Sequence, residues 1–274
     1  MSGKEKGMTT ANQNTSLANP FVKRMGFEDE QEGDILLPRA KILQPTSDEL
    51  TNERYESQNF KAGQLINSLT KEVLPAKFVP ILKFNSRLLW IPKKAGGGMA
   101  CRSMDAKTGI VLDAPKWGPW DEATNKWNPV KTVQNGECIS CDTCPYANWV
   151  GDVPPVCTKS MNFLVMFIDS GFPMVLSFKS TSLKHGKKLY SMAKMMPGNM
   201  FDYMYELKTF RKSNDKGTFY EVDVMPGGKV PAEQAQQFAE MYSSFRSLAF
   251  KFDDDEDTSE KAAEGFANSV TNEM

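Results

Sequence analysis

Histidine is almost absent from this chain: one residue, His185, in 274. It sits in the basic stretch SLKHGKK with no neighbouring acid to orient it, so a hydrolytic triad and a His-based metal site are both disfavoured. There is no G-x-S-x-G nucleophile elbow, and AGGGM lacks the Lys-Ser/Thr that a phosphate-cradling loop requires. No enzyme signature remains. Long apolar runs are missing too: LVMFIDSGFPMVL is interrupted by Asp169, Gly171 and Pro173, far short of a bilayer span. The start, MSGKEKGMTTANQNTSLANPF, is polar and has no apolar targeting core. The expectation is a soluble, cytoplasmic, non-catalytic protein with no membrane partner, whose thiols stay reduced.

What is present is cysteine in one place. Of five cysteines, Cys138, Cys141, Cys144 and Cys157 form C-x2-C-x2-C-x12-C, and Cys101 stands upstream in GMACRSMD. Two thiolates on one tight knuckle face a common point, and a tetrahedral Zn²⁺ needs a second source of ligands to close its shell. Either Cys101 or Cys157 supplies it. The surroundings are polar and rich in Pro and Gly, which argues against ordinary core cysteines. The odd count argues against disulfides. A structural Zn²⁺ is expected, and it would stabilise a stretch, about 96–160, that has little periodicity of its own.

Charge is the second feature. The net charge is −1, but residues 253–274 carry eight acids against one base, a net of −7, which leaves the rest of the chain at +6. Within residues 179–216, nine bases face three acids. Lys179, Lys184, Lys187, Lys188, Lys208, Arg211, Lys212 and Lys216 interleave there with Tyr190, Tyr203, Tyr205 and Phe210. Cations that track phosphates and flat rings that stack on bases are what single-stranded nucleic acid requires. The competing explanation is a barrel core of aromatics under an ordinary lysine surface.

The rest of the chain reads as mainly β (α+β). LPAKFVPILKFNSRLLWIP is broken by prolines that a helix would not tolerate, MNFLVMFID and MVLSFKS read as a hairpin, and SLKHGKKLYSMAKMM reads as a helix ended by Pro197-Gly198. Two alternating strands flank the Ser-Asn-Asp-Lys-Gly turn, and PAEQAQQFAEMYSSFRSLAF is an amphipathic helix. The expected organisation is a disordered arm over 1–30, one domain over 31–252 carrying the zinc insertion, and a disordered acidic tail over 253–274. The domain is expected to be a small OB-like (oligonucleotide-binding) barrel with a zinc-stapled loop insertion and a C-terminal helix.

LPRAKILQPTSDE, CRSMD, CDTCPYANW with PPVC, and SFKSTSLK through FDYMYELKTFRKSNDKGTFYEV together resemble tailed-phage single-stranded DNA-binding proteins. The resemblance spans about residues 35–225. It implies an oligonucleotide-binding barrel, a zinc-bound insertion, an acidic tail and a role in phage DNA replication, recombination or repair. The family pattern has one cysteine before Ser-x-Asp, a C-x2-C-Pro knuckle and one later cysteine, which match Cys101, Cys141, Cys144 and Cys157. Cys138 is then surplus, and Cys138, Cys141, Cys144 and Cys157 form the rival quartet. The tail ends NSVTNEM, with Phe266 its nearest ring, and lacks the aromatic tip through which such tails dock replication or recombination proteins. Three rival readings stand beside this one. They are a zinc-stabilised protein-interaction or virion-associated module, an iron–sulfur protein and, least favoured, a nuclease.

Overall fold

A computed structural model describes residues 36–91, 96–117, 120–121, 124, 126–127, 133–149, 151–152, 154–168, 170–214 and 217–246. The expected arm and acidic tail lie outside them. In chain order the strands are β1 (Ala40–Ile42), β2 (Leu65–Asn67), β3 (Lys77–Trp90), β4 (Met99–Ser103), β5 (Thr108–Val111), β6 (Trp120–Asp121), β7 (Lys126–Trp127), β8 (Cys138–Ser140), β9 (Thr158–Phe167), β10 (Pro173–Lys179), β11 (Tyr203–Asn214) and β12 (Gly217–Lys229). Helices α1 (Asp48–Thr51), α2 (Leu183–Met195) and α3 (Ala232–Phe245) complete the set. The protein is mainly β, and no helix among the described residues is long and apolar enough to cross a membrane.

An antiparallel eight-stranded sheet is organised around β3. One edge of β3 pairs with β9 from Phe78 to Leu88; the other takes β11 near Phe78 and β4 near Leu88. Pro80 lies inside this strand, where its missing N–H would cost a ladder bond. The register shifts between Pro80 and Leu82, a bulge that absorbs the proline and lets the strand run on. The sequence reading treats Pro80 as punctuation; the bulge instead makes it part of one continuous 14-residue strand.

The expected barrel is not closed by strand pairing. Among the described residues β10 and β12 do not pair with each other. A segment from the N-terminal side engages both of their edges. Val175 N–H donates to the Pro38 carbonyl at 2.8 Å, and the Gln44 side chain both donates to the Tyr220 carbonyl (2.9 Å) and accepts from its N–H (2.8 Å). Backbone groups that barrel closure would have satisfied are met by these residues instead. Close by, Glu49 is buried with Lys41 (3.1 Å) and Lys71 (2.9 Å). Burial pushes its carboxyl upward, but the two lysines and a backbone N–H outweigh this and hold it below the ordinary carboxylate value.

Alternation along β9 buries both faces of the strand. Phe163, Val165 and Phe167 enter a core shared with α2 and the β11–β12 hairpin, including Leu176, Phe178, Leu189, Tyr205 and Val224. Leu164 and Met166 turn the other way and pack under α3 through Phe238, Met241 and Phe245. Each such side chain contributes about 1.5–3 kcal/mol on burial, enough to fix α3 on the sheet.

Helix α2 sits close because of Gly186. A Cβ at that position would lie 2.9 Å from Phe178 Cβ and 3.0 Å from its Cγ. Alanine in a helix interior ordinarily gains about 1 kcal/mol over glycine, whereas overpacking costs about 1–3 kcal/mol. Gly186→Ala should therefore lower the melting temperature by about 2–4 °C in a calorimetric scan; a rise would mean that α2 slides off Phe178 without cost.

Candidate metal centre and nucleic-acid interface

The insertion between β3 and β9 brings four cysteines to one small cavity. Cys101 lies on β4, opposite Leu89 of β3 and Val111 of β5. Cys141 and Cys144 follow β8, and Cys157 immediately precedes β9. All four line a cavity of about 10 Å³ together with Arg87, Leu89, Ser103, Trp117, Ile139, Tyr146 and Ala147. Apart from Arg87 and Ser103, the same residues form a small separate core with Ile91, Ala100, Val111 and Val133. Cys138, by contrast, is exposed on β8, outside the cavity.

Backbone and side-chain bonds hold this arrangement. Asn148 Nδ2 lies 3.0, 2.9 and 3.0 Å from the carbonyls of Cys141, Asp142 and Cys144, which fixes the knuckle. Cys141 N–H donates to the Lys107 carbonyl and Cys157 N–H to that of Tyr146, each at 2.7 Å. Ser103 and Asp105, the Ser-x-Asp after Cys101, build the β4–β5 turn. Asp105 Oδ1 accepts from Ser103 Oγ (3.0 Å), Lys107 N–H (2.7 Å) and Thr108 N–H (2.8 Å). Its carboxyl is held below the ordinary value, chiefly by the Thr108 bond.

Burial pushes the Cys101 thiol up to about 11, and the charges of Cys141 and Cys144 add to the rise. Cys157 is pushed up to about 12 by burial; Arg87 opposes the shift, while Cys101, Cys144 and Cys141 reinforce it. Burial also raises Cys141, against a hydrogen bond from Ser103 and the charge of Arg87. The thiols thus lie within electrostatic reach of one another. As they stand, no three His, Cys, Asp or Glu side chains among the described residues are grouped closely enough to hold an ion.

The expected nucleic-acid residues separate into three groups. Tyr203 and Tyr205 are 5% and 2% exposed, and the Tyr203 hydroxyl donates to the Pro197 carbonyl at 2.8 Å. Strand parity turns both rings into the core beside Phe78 and Phe167, so they are corrected from stacking residues to core residues. A second group is paired with acids. Lys184 and Lys212 meet the buried Glu221 at 3.3 and 2.9 Å, and Lys188 meets Asp223 at 2.7 Å. Lys188 is the main cause holding Asp223 below its ordinary value. Burial raises Glu221, but Lys212 and Lys184 prevail and lower it.

His185 belongs to this network: it is buried, with Nδ1 3.2 Å from Asp223 Oδ1 and its ring edge-on to Phe210 at 6.4 Å. The sequence offers it no acid because both partners arrive from β12, 36 and 38 positions away. The third group is open to solvent: Lys187, Lys208, Arg211 and Tyr190, with Phe210 half-buried under Lys212. Lys179 is half-buried at the end of β10, and Lys216 lies outside the described residues.

Other polar and aromatic residues near the insertion are absent from that expectation. Lys83, Asn85 and Arg87 on β3 stand directly opposite Phe163, Met161 and Lys159 on β9, sharing one face. Trp149, beside the knuckle, is 66% exposed. Lys83 and Lys159 are scattered in the sequence among apolar strand residues, so no local charge density marks them.

The difference between Cys138 and the other four thiols is directly measurable. In the native protein without chelator or denaturant, a thiol reagent such as Ellman's should modify one cysteine rapidly and four slowly. Cys138→Ser should abolish the fast phase; a fast phase that persists in that variant would show that a cavity cysteine is accessible.

No curated protein and no solved structure matches this chain. A family model described as Pam3 phage gp34-like protein matches residues 10–251. With nearly the whole chain inside that match, the protein belongs to the Pam3 phage gp34-like family.

Proposed function

We propose that this protein coats single-stranded DNA during phage DNA replication, recombination or repair, with one structural Zn²⁺ stapling its insertion. The observation that carries the reading is the order of its elements. β3, β9 and β10 form a meander, α2 follows, β11 returns to pair with β3, and β12 completes a hairpin. That is the order of an oligonucleotide-binding barrel, five strands with a helix before the fourth, in which ligand is held near strands two and three and the loops 1–2 and 4–5. Of their counterparts, β9 and β10 are covered on one side by α3, which leaves the cysteine insertion and the tip of the β11–β12 hairpin for the ligand. Trp149 on the insertion, with Lys208 and Arg211 toward the tip, supplies the ring and charge that single strands require.

The cysteine cavity fits zinc in its donor set. Cys101, Cys141, Cys144 and Cys157 would hold the ion, and Gly109 leaves it space: a Cβ there would sit 2.9 Å from Cys101 Sγ and 3.8 Å from Cys141 Sγ. Trp117 Nε1 is buried and directed at Cys101, a donor that favours the thiolate form of that side chain. Four thiolates around a dication leave net negative charge, and the Arg87 guanidinium, anchored on the Ala147 carbonyl at 2.7 Å, is placed to offset it. The ion would act as a closed structural cross-link.

Elemental analysis should find one zinc per chain. Serine at Cys101, Cys141, Cys144 or Cys157 should release it and lower the melting temperature, while Cys138→Ser retains it. Brown protein with iron in place of zinc would replace this assignment by a cluster.

A labelled oligo-dT should bind the full-length protein tightly at low salt, weaken steeply as salt rises, and outcompete duplex. The acidic segment 253–274 is proposed to compete for the same basic surface and to engage replication partners once DNA displaces it. Its removal should tighten low-salt binding, and an unchanged affinity would exclude that competition. The second reading, a zinc-stabilised interaction or virion-associated module, is favoured by the neutralised Lys184, Lys188 and Lys212 and by Met195, 84% exposed at the end of α2. Absence of oligo-dT binding at low salt would decide for it.

A further inference from the structure

The face of β3 and β9 opposite α3 carries a cationic strip whose position the linear sequence does not reveal. Helix α3 packs on Leu164, Met166 and Val175, so that side of β9 and β10 is already covered by apolar contacts. On the other side the core ends near Phe163, and the row continues as Lys83, then Asn85 beside Met161, then Lys159 beside Arg87. This strip lies between α2 and the cysteine insertion.

Three observations point to a ligand there. Lys83 and Lys159 have no carboxylate partner among the described residues, in contrast to Lys184, Lys188 and Lys212. They also repel each other: burial, and then the charge of Lys159, lower Lys83 from its ordinary value. Two unneutralised ammonium groups on one face of the sheet, at the Lys83–Phe163 and Arg87–Lys159 positions of the register, are stabilised by an anion between them. Second, Tyr190 leans over the strip from α2 with Lys83 Nζ 5.1 Å from its ring centre, and the residue is 38% exposed. Third, Asn85 Oδ1 is buried without a hydrogen-bond partner, an acceptor that a base N–H would satisfy.

We propose that Lys83 and Lys159 form a phosphate-binding subsite for single-stranded DNA, with Tyr190 stacking on an adjacent base and Asn85 accepting from a base edge. The proposal rests on the DNA-coating reading and specifies where the strand crosses the sheet. Arg87, at the end of the row, is committed to the Ala147 carbonyl and the cysteine cavity, so the subsite ends at Lys159. A strand laid along this row runs from α2 to the insertion, toward the exposed Trp149.

The test is anisotropy of labelled oligo-dT with the full-length protein across a salt series, comparing wild type, the double variant Lys83→Gln/Lys159→Gln, and Lys229→Gln, exposed at the end of β12. Thermal melts confirm that each variant is folded, and Lys159→Gln alone covers any defect caused by the half-buried Lys83. The double variant should bind about tenfold more weakly at low salt, on the order of one lost charge-assisted contact. Its slope of log affinity against log salt should be shallower by about 0.7, one single-strand phosphate. Lys229→Gln should change both much less. If wild type binds and the double variant matches it in affinity and slope, the subsite is wrong and the coating reading stands. Weaker binding with an unchanged slope also overturns it, because the lysines then act without touching phosphate. If wild type itself does not bind, both readings fall.

Discussion

β3 is hydrogen-bonded to three partners, and the positions of everything else follow from how those partners share its length. β9 runs along one edge nearly throughout, while the other edge is divided between β11 at the start and β4 at the end. One strand is thus both a wall of the aromatic core and the stem of the cysteine insertion. The Pro80 bulge makes this possible, since the residue that cannot donate to the ladder is taken out of register. A rigid shared strand also means that the cysteine cavity and the basic strip keep a fixed relation to the sheet.

The seam between β10 and β12 shows a second constraint. Open edges invite pairing with other chains. Here Pro38 and Gln44 occupy backbone groups on the two edges with one carbonyl and one side-chain amide. Gly63 lies against the ring of Tyr220 at this junction, and its φ of +88° places it in the region glycine favours. An N-terminal lobe that looks like short strands and turns in the sequence therefore completes the body where direct strand pairing does not.

Charge is distributed differently from what residue counts suggest. The dense basic stretch 179–216 meets Glu221 and Asp223, two acids just outside that window, so several of its lysines are satisfied within the protein. Lys83 of β3 and Lys159 of β9 have no such partner among the described residues. Counting charge along the chain finds density, whereas binding depends on which charges remain unpaired after folding.

Much of the architecture was legible because its signals are local. Alternation in β9, β10, β11 and β12, the turn before Gly217, the helix stop at Pro197-Gly198 and the Phe238-Met241-Phe245 spacing each act within a few residues. The knuckle spacing of Cys141 and Cys144 is equally local. Only tertiary structure separated Cys101 and Cys157 from the exposed Cys138, because convergence on one cavity depends on three strands meeting at the end of β3. It also turned Tyr203 and Tyr205 inward, gave His185 its acids and left Lys83 and Lys159 without any among the described residues. Periodicity encodes which residues share a face; whether that face meets core, counter-charge or solvent is set by elements that fold against it from far along the chain.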